Sequence, residues 1–99
     1  MKPAISIVVP ARNSAATLQS CLESIRAQSF RDYELIVVDG MSRDGTADIA
    51  RRYADEVMTC PGSVPASRNL GFSRARGGIF LSIDSDMVLG EGLLLDVSK

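Results

Sequence analysis

Two aspartates at the end of an apolar run, Asp84 and Asp86, are the residues of this chain best suited to hold a metal ion. Mg²⁺ is commonly bound through one or two carboxylates, with substrate phosphates and water in the remaining positions, and Mn²⁺ takes similar oxygen ligands. In an extended segment, side chains two residues apart project to the same side, so both carboxylates can reach one ion. The alternative is a β-turn, in which Asp and Ser are common. The spacing predicts a site for Mg²⁺ or Mn²⁺ that holds a phosphate-bearing substrate.

Polar or turn-forming residues also follow two other apolar runs, residues 5–9 and residues 34–38. In open parallel sheets the carboxyl ends of the strands meet at one edge, and ligands bind in the crevice outside that edge. We therefore expect the residues after these runs to lie near the aspartate pair and to line one site with it. They are Pro10, Ala11, Arg12 and Asn13 after the first run, and Asp39 and Gly40 after the second.

Two of these polar residues have a structural alternative to ligand binding. Asp39 can accept hydrogen bonds from a ribose or a base, or it can cap the following helix, a role for which Asp44 is better placed. Asn13 can contact a ligand or brace its own loop through hydrogen bonds to the backbone. Five arginines are candidates for contact with a diphosphate: Arg12, Arg43, Arg68, Arg74 and Arg76.

The composition is that of a single globular domain and argues against several kinds of function. The chain has 99 residues, of which 45% are hydrophobic and 23% charged, and a net charge of −1. This charge balance does not suit non-specific nucleic-acid binding, which needs a basic face. No apolar run approaches the roughly 20 residues that span a bilayer, so we expect a cytoplasmic chain without a transmembrane segment. Cys21 and Cys60 lie in separate predicted elements without a spacing for zinc, so we expect buried free thiols rather than a disulfide. The chain has no histidine, which excludes Ser-His and Cys-His catalysis.

Apolar runs alternate with helical stretches, which predicts a β-α-β-α-β-α-β order and a parallel sheet covered by helices. The first helix has the clearest signal, because four apolar residues between Leu18 and Ile25 share one face, and Ser14 is its predicted N-cap. The predicted strands are residues 5–9, 34–38, 56–60 and 79–83; the predicted helices are residues 14–28, a second one after residue 45, and residues 65–74.

Other nucleotide-binding folds fit this sequence less well. No Gly-x-Gly-x-x-Gly follows the first strand, and no Gly-Lys-Ser/Thr phosphate loop occurs. Residues 10–13, Pro-Ala-Arg-Asn, stand where sugar nucleotidyltransferases have a glycine-rich loop. A receiver domain would need an acidic cluster after the first strand, and the sequence has none there.

Five segments, in order along residues 5–86, resemble the family 2 glycosyltransferases, which have the GT-A fold. Such an ordered set is far more specific than any single short motif. Residues 6–13 resemble the family's first strand and its Pro-x-x-Asn turn, and residues 24–30 resemble S-I-x-x-Q-x-F. The other three segments are residues 37–46, similar to V-V-D-D-G-S-x-D-G-T, residues 67–71, similar to A-R-N-x-G, and residues 77–86, similar to the run into D-x-D.

The resemblance implies a three-layer, Rossmann-like α/β fold whose mainly parallel four-stranded sheet has the order 3-2-1-4. It implies inverting transfer of a sugar from a nucleotide-diphospho-sugar donor to a saccharide or lipid-linked acceptor, with Mg²⁺ or Mn²⁺ as cofactor. In this pattern Asp39 and the residue after it contact the nucleoside. Asp84 lies near the ribose and close to the metal, and Asp86 ligates the metal on the diphosphate. The implied donor site consists of Pro10, Ala11, Asn13, Asp39, Gly40, Arg68 and Asp84.

The chain departs from the family pattern in two ways. Gly40 stands where the pattern has a second aspartate, and this change removes an acceptor for a base N–H and loosens or alters base selectivity. The pattern also continues beyond Lys99 into an acceptor-binding half that carries the catalytic base, and neither Glu91 nor Asp96 is identified as that base. We therefore expect residues 1–99 to be the N-terminal donor-binding part of an enzyme, with no catalytic residue in this chain and with the parent peripheral to the inner face of a membrane.

Two other interpretations stay open. In the first, the chain is a nucleotide-sugar-binding module without transfer activity. In the second, it is a fragment that needs a partner chain for the acceptor half. In the second case the three leucines at residues 93–95 form an exposed apolar edge that docks onto the partner or self-associates. Sugar transfer by the isolated chain excludes both interpretations, and metal-dependent nucleotide binding without transfer favours the first.

Overall fold

The computed structural model describes residues 2–99, so Met1 of the predicted 1–99 domain lies outside the described residues. Its centre is a parallel sheet of four strands: β1 (Ile5–Ala11), β2 (Tyr33–Asp39), β3 (Glu56–Thr59) and β4 (Ile79–Ser82). The order across the sheet is β3-β2-β1-β4, which confirms the predicted order. Each predicted strand agrees with its observed strand to within two residues at either end.

Helices cover both faces of this sheet and give the predicted three layers. α1 (Ala15–Arg26), α2 (Thr46–Tyr53) and α4 (Leu93–Ser98) contribute to the larger of two apolar clusters, on one face. α3 (Val64–Ser73) packs against the other face, where it covers the smaller cluster. Helices α1, α2 and α3 were predicted from the sequence, whereas α4 was not.

The two central strands explain why their sequences are almost continuously apolar. Every residue of β1 and β2 is buried. Successive side chains point to opposite faces, so Ile7 and Val9 join the cluster under α1 while Val8 and Val38 join the cluster under α3. A parallel strand that is covered on both faces is apolar at nearly every position.

Helix α1 buries the predicted apolar stripe and has the predicted residue at its N-cap position, but without the side-chain bond of a cap. It runs from Ala15 to Arg26, with Ser14 in the N-cap position, yet the Ser14 side chain makes no capping hydrogen bond. The hydroxyl contacts Arg12 and Ser85 instead, so the predicted side-chain cap is wrong. The buried stripe consists of Leu18, Cys21, Leu22 and Ile25.

The segment after β4 folds back onto the end of α1. The Gln28 side chain donates from Nε2 to the Gly90 carbonyl oxygen at 2.8 Å and accepts from the Leu94 amide at 3.1 Å. Leu94 is completely buried in the larger cluster, while Leu93 and Leu95 are exposed on α4. The predicted apolar edge of three leucines is therefore wrong for Leu94, because the central leucine serves the core of this chain.

Glu34 ties the amino end of the sheet together. Its carboxylate accepts hydrogen bonds from Ser6 Oγ at 2.5 Å and from the Arg76 amide at 2.6 Å, and Arg76 Nε lies 3.5 Å away. Burial by itself raises the pKa of Glu34, but these hydrogen bonds and the Arg76 charge together bring it below its ordinary value.

Acid should weaken the fold partly through Glu34. A lowered folded-state pKa contributes stability that is complete above the unfolded-state pKa and is lost as the pH falls through the folded-state value. Glu34→Gln should cost about 1–2 kcal/mol at neutral pH and should reduce the further loss of stability in acid. Urea unfolding at neutral and at acidic pH measures both effects. A variant with the stability and the acid sensitivity of the wild type would contradict this role.

The cysteines and the helix lengths agree with the sequence-based expectations. Cys21 and Cys60 are both buried and unpaired. Within residues 2–99, no helix combines the length and the apolar character that a membrane crossing requires.

Candidate functional site

A cleft of about 590 Å³ opens at the carboxyl ends of β1, β2 and β4. The loops after these three strands line it, and the first turn of α3 closes it on a fourth side through Ser63, Val64 and Ser67. The prediction that the polar strand ends meet in space is thereby confirmed. Six of the predicted site residues line the cleft: Pro10, Ala11, Asn13, Gly40, Asp84 and Asp86.

Two predicted site residues do not line this cleft. Asp39 is only 5% exposed, and its carboxylate accepts a hydrogen bond from the Ser42 amide at 3.3 Å, which shapes the loop after β2. Arg68 lies on α3, and its Nε donates to Ser82 Oγ at 2.9 Å, two residues before Asp84. Both side chains therefore contact residues next to the cleft rather than its surface.

The structure separates the five candidate arginines. Arg12 lines the cleft. Arg74 and Arg76 lie in a second cleft at the amino end of the sheet, where they pair with Glu56 at 2.9 Å and with Glu34 at 3.5 Å. The expectation that Arg74 and Arg76 reach a diphosphate beside the aspartate pair is therefore wrong.

The aspartate pair lies in a turn, which corrects the prediction of an extended segment. The Met87 amide donates to the Asp84 carbonyl oxygen at 3.0 Å, closing a β-turn with Ser85 and Asp86 at its centre. Both aspartates nevertheless line the same cleft, and both are exposed. Among residues 2–99, neither aspartate forms an ion pair.

The negative charges of this turn affect the Cys21 thiol on the neighbouring helix α1. Burial raises the pKa of the Cys21 thiol to about 11, and the charges of Asp86 and then Asp84 add to that rise. Two exposed carboxylates that form no ion pair among the described residues fit a hard divalent ion, because phosphate and water supply the remaining oxygens. No group of three or more acidic, Cys or His ligands exists in the described part of the chain, so such an ion would depend on its substrate.

Asn13 braces the loop after β1 against the loop after β2. Its amide donates to Ser42 Oγ at 2.8 Å, and its side-chain Oδ1 accepts from the Arg43 amide at 2.9 Å. The residue has φ 48°, in the left-handed region that asparagine tolerates better than most residues. The bracing role considered from the sequence is present, and Asn13 also lines the cleft.

Asp44 joins the amino ends of two helices, which goes beyond the capping role considered for it. One carboxylate oxygen accepts from the Ala15 amide at 3.1 Å, and the other accepts from the Thr46 amide at 3.0 Å and from the Thr46 hydroxyl. The bond from the Thr46 hydroxyl is the largest cause of the lowered pKa of Asp44. Sequence reasoning missed Thr46, which is completely buried and whose hydroxyl also accepts from the Ser14 amide at 2.8 Å.

Gly40 lines the cleft after β2, and Met41 follows it in the same loop. A Cβ added at Gly40 would lie 3.3 Å from the Arg12 Cβ, so the Arg12 stem occupies the space beside the missing side chain. Met41 has φ 64° and is 56% exposed, although a side chain in this region costs energy that glycine does not pay. The sequence offered a signal that was overlooked, because the V-V-D-D-G-S pattern has glycine at this position.

Met41→Gly should stabilise the chain. Relief of the left-handed strain at φ 64° outweighs the greater flexibility of glycine in the unfolded state, for a net gain of about 0.5–1 kcal/mol. Met87→Gly is the matched control, because Met87 is also exposed and lies outside the left-handed region, and it should lower stability. Thermal unfolding of both variants measures the two changes in stability. Equal losses of stability in Met41→Gly and Met87→Gly would contradict the strain at Met41.

Comparison with known proteins identifies the family. A family model described as "Glycosyl transferase family 2" matches residues 6–97. The glycosyltransferase AglE of Haloferax volcanii is 34% identical over an alignment of length 94 that covers 85% of this chain and 31% of that protein.

Two solved structures with bound nucleotide-sugars share the fold. S. aureus TarS 1-349 in complex with UDP-GlcNAc superposes with a TM-score of 0.83 at 30% identity, over 99% of this chain and 30% of that one. The mannosyltransferase PcManGT from Pyrobaculum calidifontis, in complex with GDP-Man and Mn²⁺, has a TM-score of 0.72 at 26% identity, over 87% of this chain and 28% of that one.

The chain thus spans about a third or less of the proteins that it matches. Within that span the family model covers residues 6–97 and the solved structures share the fold, whose parallel sheet has the order 3-2-1-4 in this chain. The chain belongs to glycosyltransferase family 2.

Proposed function

We propose that this chain is the donor-binding part of a glycosyltransferase and that its cleft holds a nucleotide-diphospho-sugar together with a divalent metal ion. The observation that carries the proposal is the meeting of two unpaired carboxylates with three loops at the carboxyl edge of the sheet. The cleft volume of about 590 Å³ lies in the usual range for small-molecule sites. TarS and PcManGT, which share this fold, bind UDP-GlcNAc and GDP-Man.

Asp86 and Asp84 are proposed to hold the ion, either Mg²⁺ or Mn²⁺. Their exposure lets an ion replace water without breaking an existing contact of the protein. When bound, the ion neutralises charge that develops on the departing nucleoside diphosphate. The turn closed between Asp84 and Met87 keeps both carboxylates at the mouth of the cleft, where the diphosphate would lie.

The nucleoside is proposed to lie against the loops after β1 and β2. Pro10 and Ala11 supply the wall, and Gly40, without a side chain, lets a flat group approach the backbone. Asn13 holds the two loops at a fixed separation through its bonds to Ser42 and Arg43.

Asp39 and Arg68 are proposed to serve the donor site from behind the cleft surface. Asp39 acts through the Ser42 amide that it holds, and Arg68 acts through Ser82 at the end of β4. The Arg12 side chain lies beside Gly40, where the family pattern has a carboxylate. We therefore propose that the Arg12 guanidinium, rather than a carboxylate, faces the edge of the base.

The acceptor site and the catalytic base are proposed to belong to the remainder of a longer enzyme. This chain spans 31% of AglE and 30% of the TarS fragment, and no residue of its cleft is an evident base for an incoming hydroxyl. The complete protein is proposed to transfer its sugar with inversion to a saccharide or lipid-linked acceptor, in the cytoplasm at the inner face of a membrane.

Backbone NMR of the isotope-labelled chain tests the donor site. Adding UDP or GDP with Mg²⁺ should shift the amide signals of residues 11–14, 40–42 and 84–87, which surround the cleft. Amides at Glu34 and Arg76, in the second cleft, provide the internal control and should stay in place. Unchanged signals around the first cleft with both nucleotides would overturn the proposal, as would shifts confined to the second cleft.

A further inference from the structure

The carboxylate turn meets the rest of the cleft at a contact between two serines. Ser14 Oγ and Ser85 Oγ lie 3.0 Å apart, one at the start of α1 and the other between the two aspartates. We propose that Ser14 and Ser85 are a positioning pair, which fixes the Asp84 and Asp86 carboxylates relative to the loops after β1 and β2. The inference rests on the proposed metal site and adds residues that the family motifs leave unassigned.

Ser14 is suited to this role because it is itself held from several directions. Its hydroxyl donates to the Arg12 carbonyl oxygen at 3.1 Å and accepts from the Arg12 amide at 3.2 Å. Its amide donates to Thr46 Oγ1 at 2.8 Å, and the Thr46 hydroxyl in turn donates to Asp44. Ser14 is therefore a fixed point shared by the loops after β1 and β2.

The direction of the shared bond follows from counting protons. A serine hydroxyl carries one proton, and the Arg12 carbonyl oxygen accepts that of Ser14. The 3.0 Å distance allows either hydroxyl to donate, and on this proton count we assign the donor role to Ser85. Threonine at position 85 keeps this donor, whereas alanine removes it.

The carboxylate turn has few other anchors. Its pairing with β1 ends at the bond from the Ile83 amide to the Val8 carbonyl oxygen, at 3.0 Å. Beyond that point, the Cys21 thiol reaches the Asp84 carbonyl oxygen at a long 3.6 Å. Within residues 84–87, as far as the described chain shows, Ser85 has the one side chain that bonds to another loop.

The expected effect of breaking this bond follows from the worth of one partly buried hydrogen bond. Ser85→Ala should weaken Mn²⁺ binding in the presence of UDP about fivefold, equivalent to ~1 kcal/mol. Ser14→Ala should weaken it at least as much, because Ser14 also holds Arg12. The double variant should be little worse than Ser14→Ala alone, since both changes remove the same contact.

Two measurements on the full chain test the pair. NMR relaxation of the amides of residues 84–87, without metal, reports how firmly the turn is held, and Mn²⁺ titration followed by electron paramagnetic resonance with UDP reports affinity. Ser85→Thr should restore wild-type behaviour in both. Ser73→Ala is the matched control, because the Ser73 hydroxyl bonds only within α3, to Leu70.

The outcomes separate this inference from the proposed function. Greater mobility of residues 84–87 in Ser85→Ala and Ser14→Ala, with weaker Mn²⁺ binding and unchanged thermal stability, supports the positioning pair. A turn as rigid as in the wild type in both variants overturns it, whether or not metal binds, and so does unchanged Mn²⁺ affinity in both. A mobile turn in the variants of a chain whose wild type binds no Mn²⁺ supports the pair and rejects the proposed metal site instead.

Discussion

Asp86→Asn is expected to weaken Mn²⁺ binding in the presence of UDP by about 100-fold or more, equivalent to ~2.7 kcal/mol. The site offers two carboxylates and no other acidic, Cys or His ligand in the described chain, so replacing one with an amide removes half of its protein charge. The free energy of unfolding should not fall, because the Asp86 side chain makes no hydrogen bond or ion pair within the described residues. Its negative charge also repels that of Asp84, and the amide removes this repulsion.

Paramagnetic resonance titration of Mn²⁺, read beside thermal unfolding, measures both sides of this prediction. Asp96→Asn is the matched control, because Asp96 is an exposed aspartate on α4 whose ion-pair partner is Lys99, far from the cleft lining. It should bind Mn²⁺ as the wild type does. Wild-type Mn²⁺ affinity in Asp86→Asn would remove Asp86 from the proposed site.

Gly71→Ala is expected to destabilise the chain by about 2–3 kcal/mol, the largest stability effect predicted for one methyl group here. A Cβ at Gly71 would lie 2.5 Å from Cγ1 and 3.0 Å from Cγ2 of Val8, and 3.2 Å from Cγ2 of Val38. Both valines are completely buried in β1 and β2, so neither can move aside freely. This overlap outweighs the gain of about 1 kcal/mol that alanine brings inside a helix.

The consequence at the site is a displaced α3. Ser67, one turn earlier on α3, is buried at the cleft, so a helix pushed off the sheet should also weaken nucleotide binding. Urea unfolding of Gly71→Ala gives the stability change, with Gly90→Ala as control because a Cβ there meets nothing within 4 Å. In the double variant, Val8→Ala removes the methyl groups that the new Cβ would overlap, so α3 should pack closer to the sheet than in Gly71→Ala alone. A Gly71→Ala chain as stable as the wild type would contradict the close contact of α3 with the sheet.

Much of the fold was predictable because its elements have strong local patterns. The stripe from Leu18 to Ile25 has helical spacing, and β1 and β2 are almost continuously apolar because both faces are covered. The alternation of strands and helices then required parallel pairing. The order of the strands followed from the resemblance to the family rather than from any local pattern.

The elements that were missed depend on contacts between distant residues. Helix α4 has only six residues, and it is held by the burial of Leu94 and by Gln28, which lies 66 residues earlier. The turn at Asp84 was assigned to an extended segment, because its residue types suit a turn or a strand end equally well. The bond that decides between them joins the Met87 amide to Asp84.

The position of the cleft was predictable from the sequence, but the side chains that face it were not. Polar residues after β1, β2 and β4 had to meet at one edge of a parallel sheet. Which of them face the cleft depends on side-chain packing, so Asp39 turned inward to Ser42 while Arg12 remained at the surface. Arg74 and Arg76 follow α3 at the opposite edge of the sheet, and an arginine's residue type alone does not indicate its edge.

The most direct test of the central claim is calorimetric titration of UDP, and then of GDP, into this chain with Mn²⁺ and again with a chelator. A donor site that depends on Asp84 and Asp86 predicts saturable binding of at least one nucleotide with Mn²⁺ and binding that is lost or greatly weakened without it. A folded chain that binds neither nucleotide, or that binds one equally well with the chelator, would contradict the proposed metal-dependent donor site.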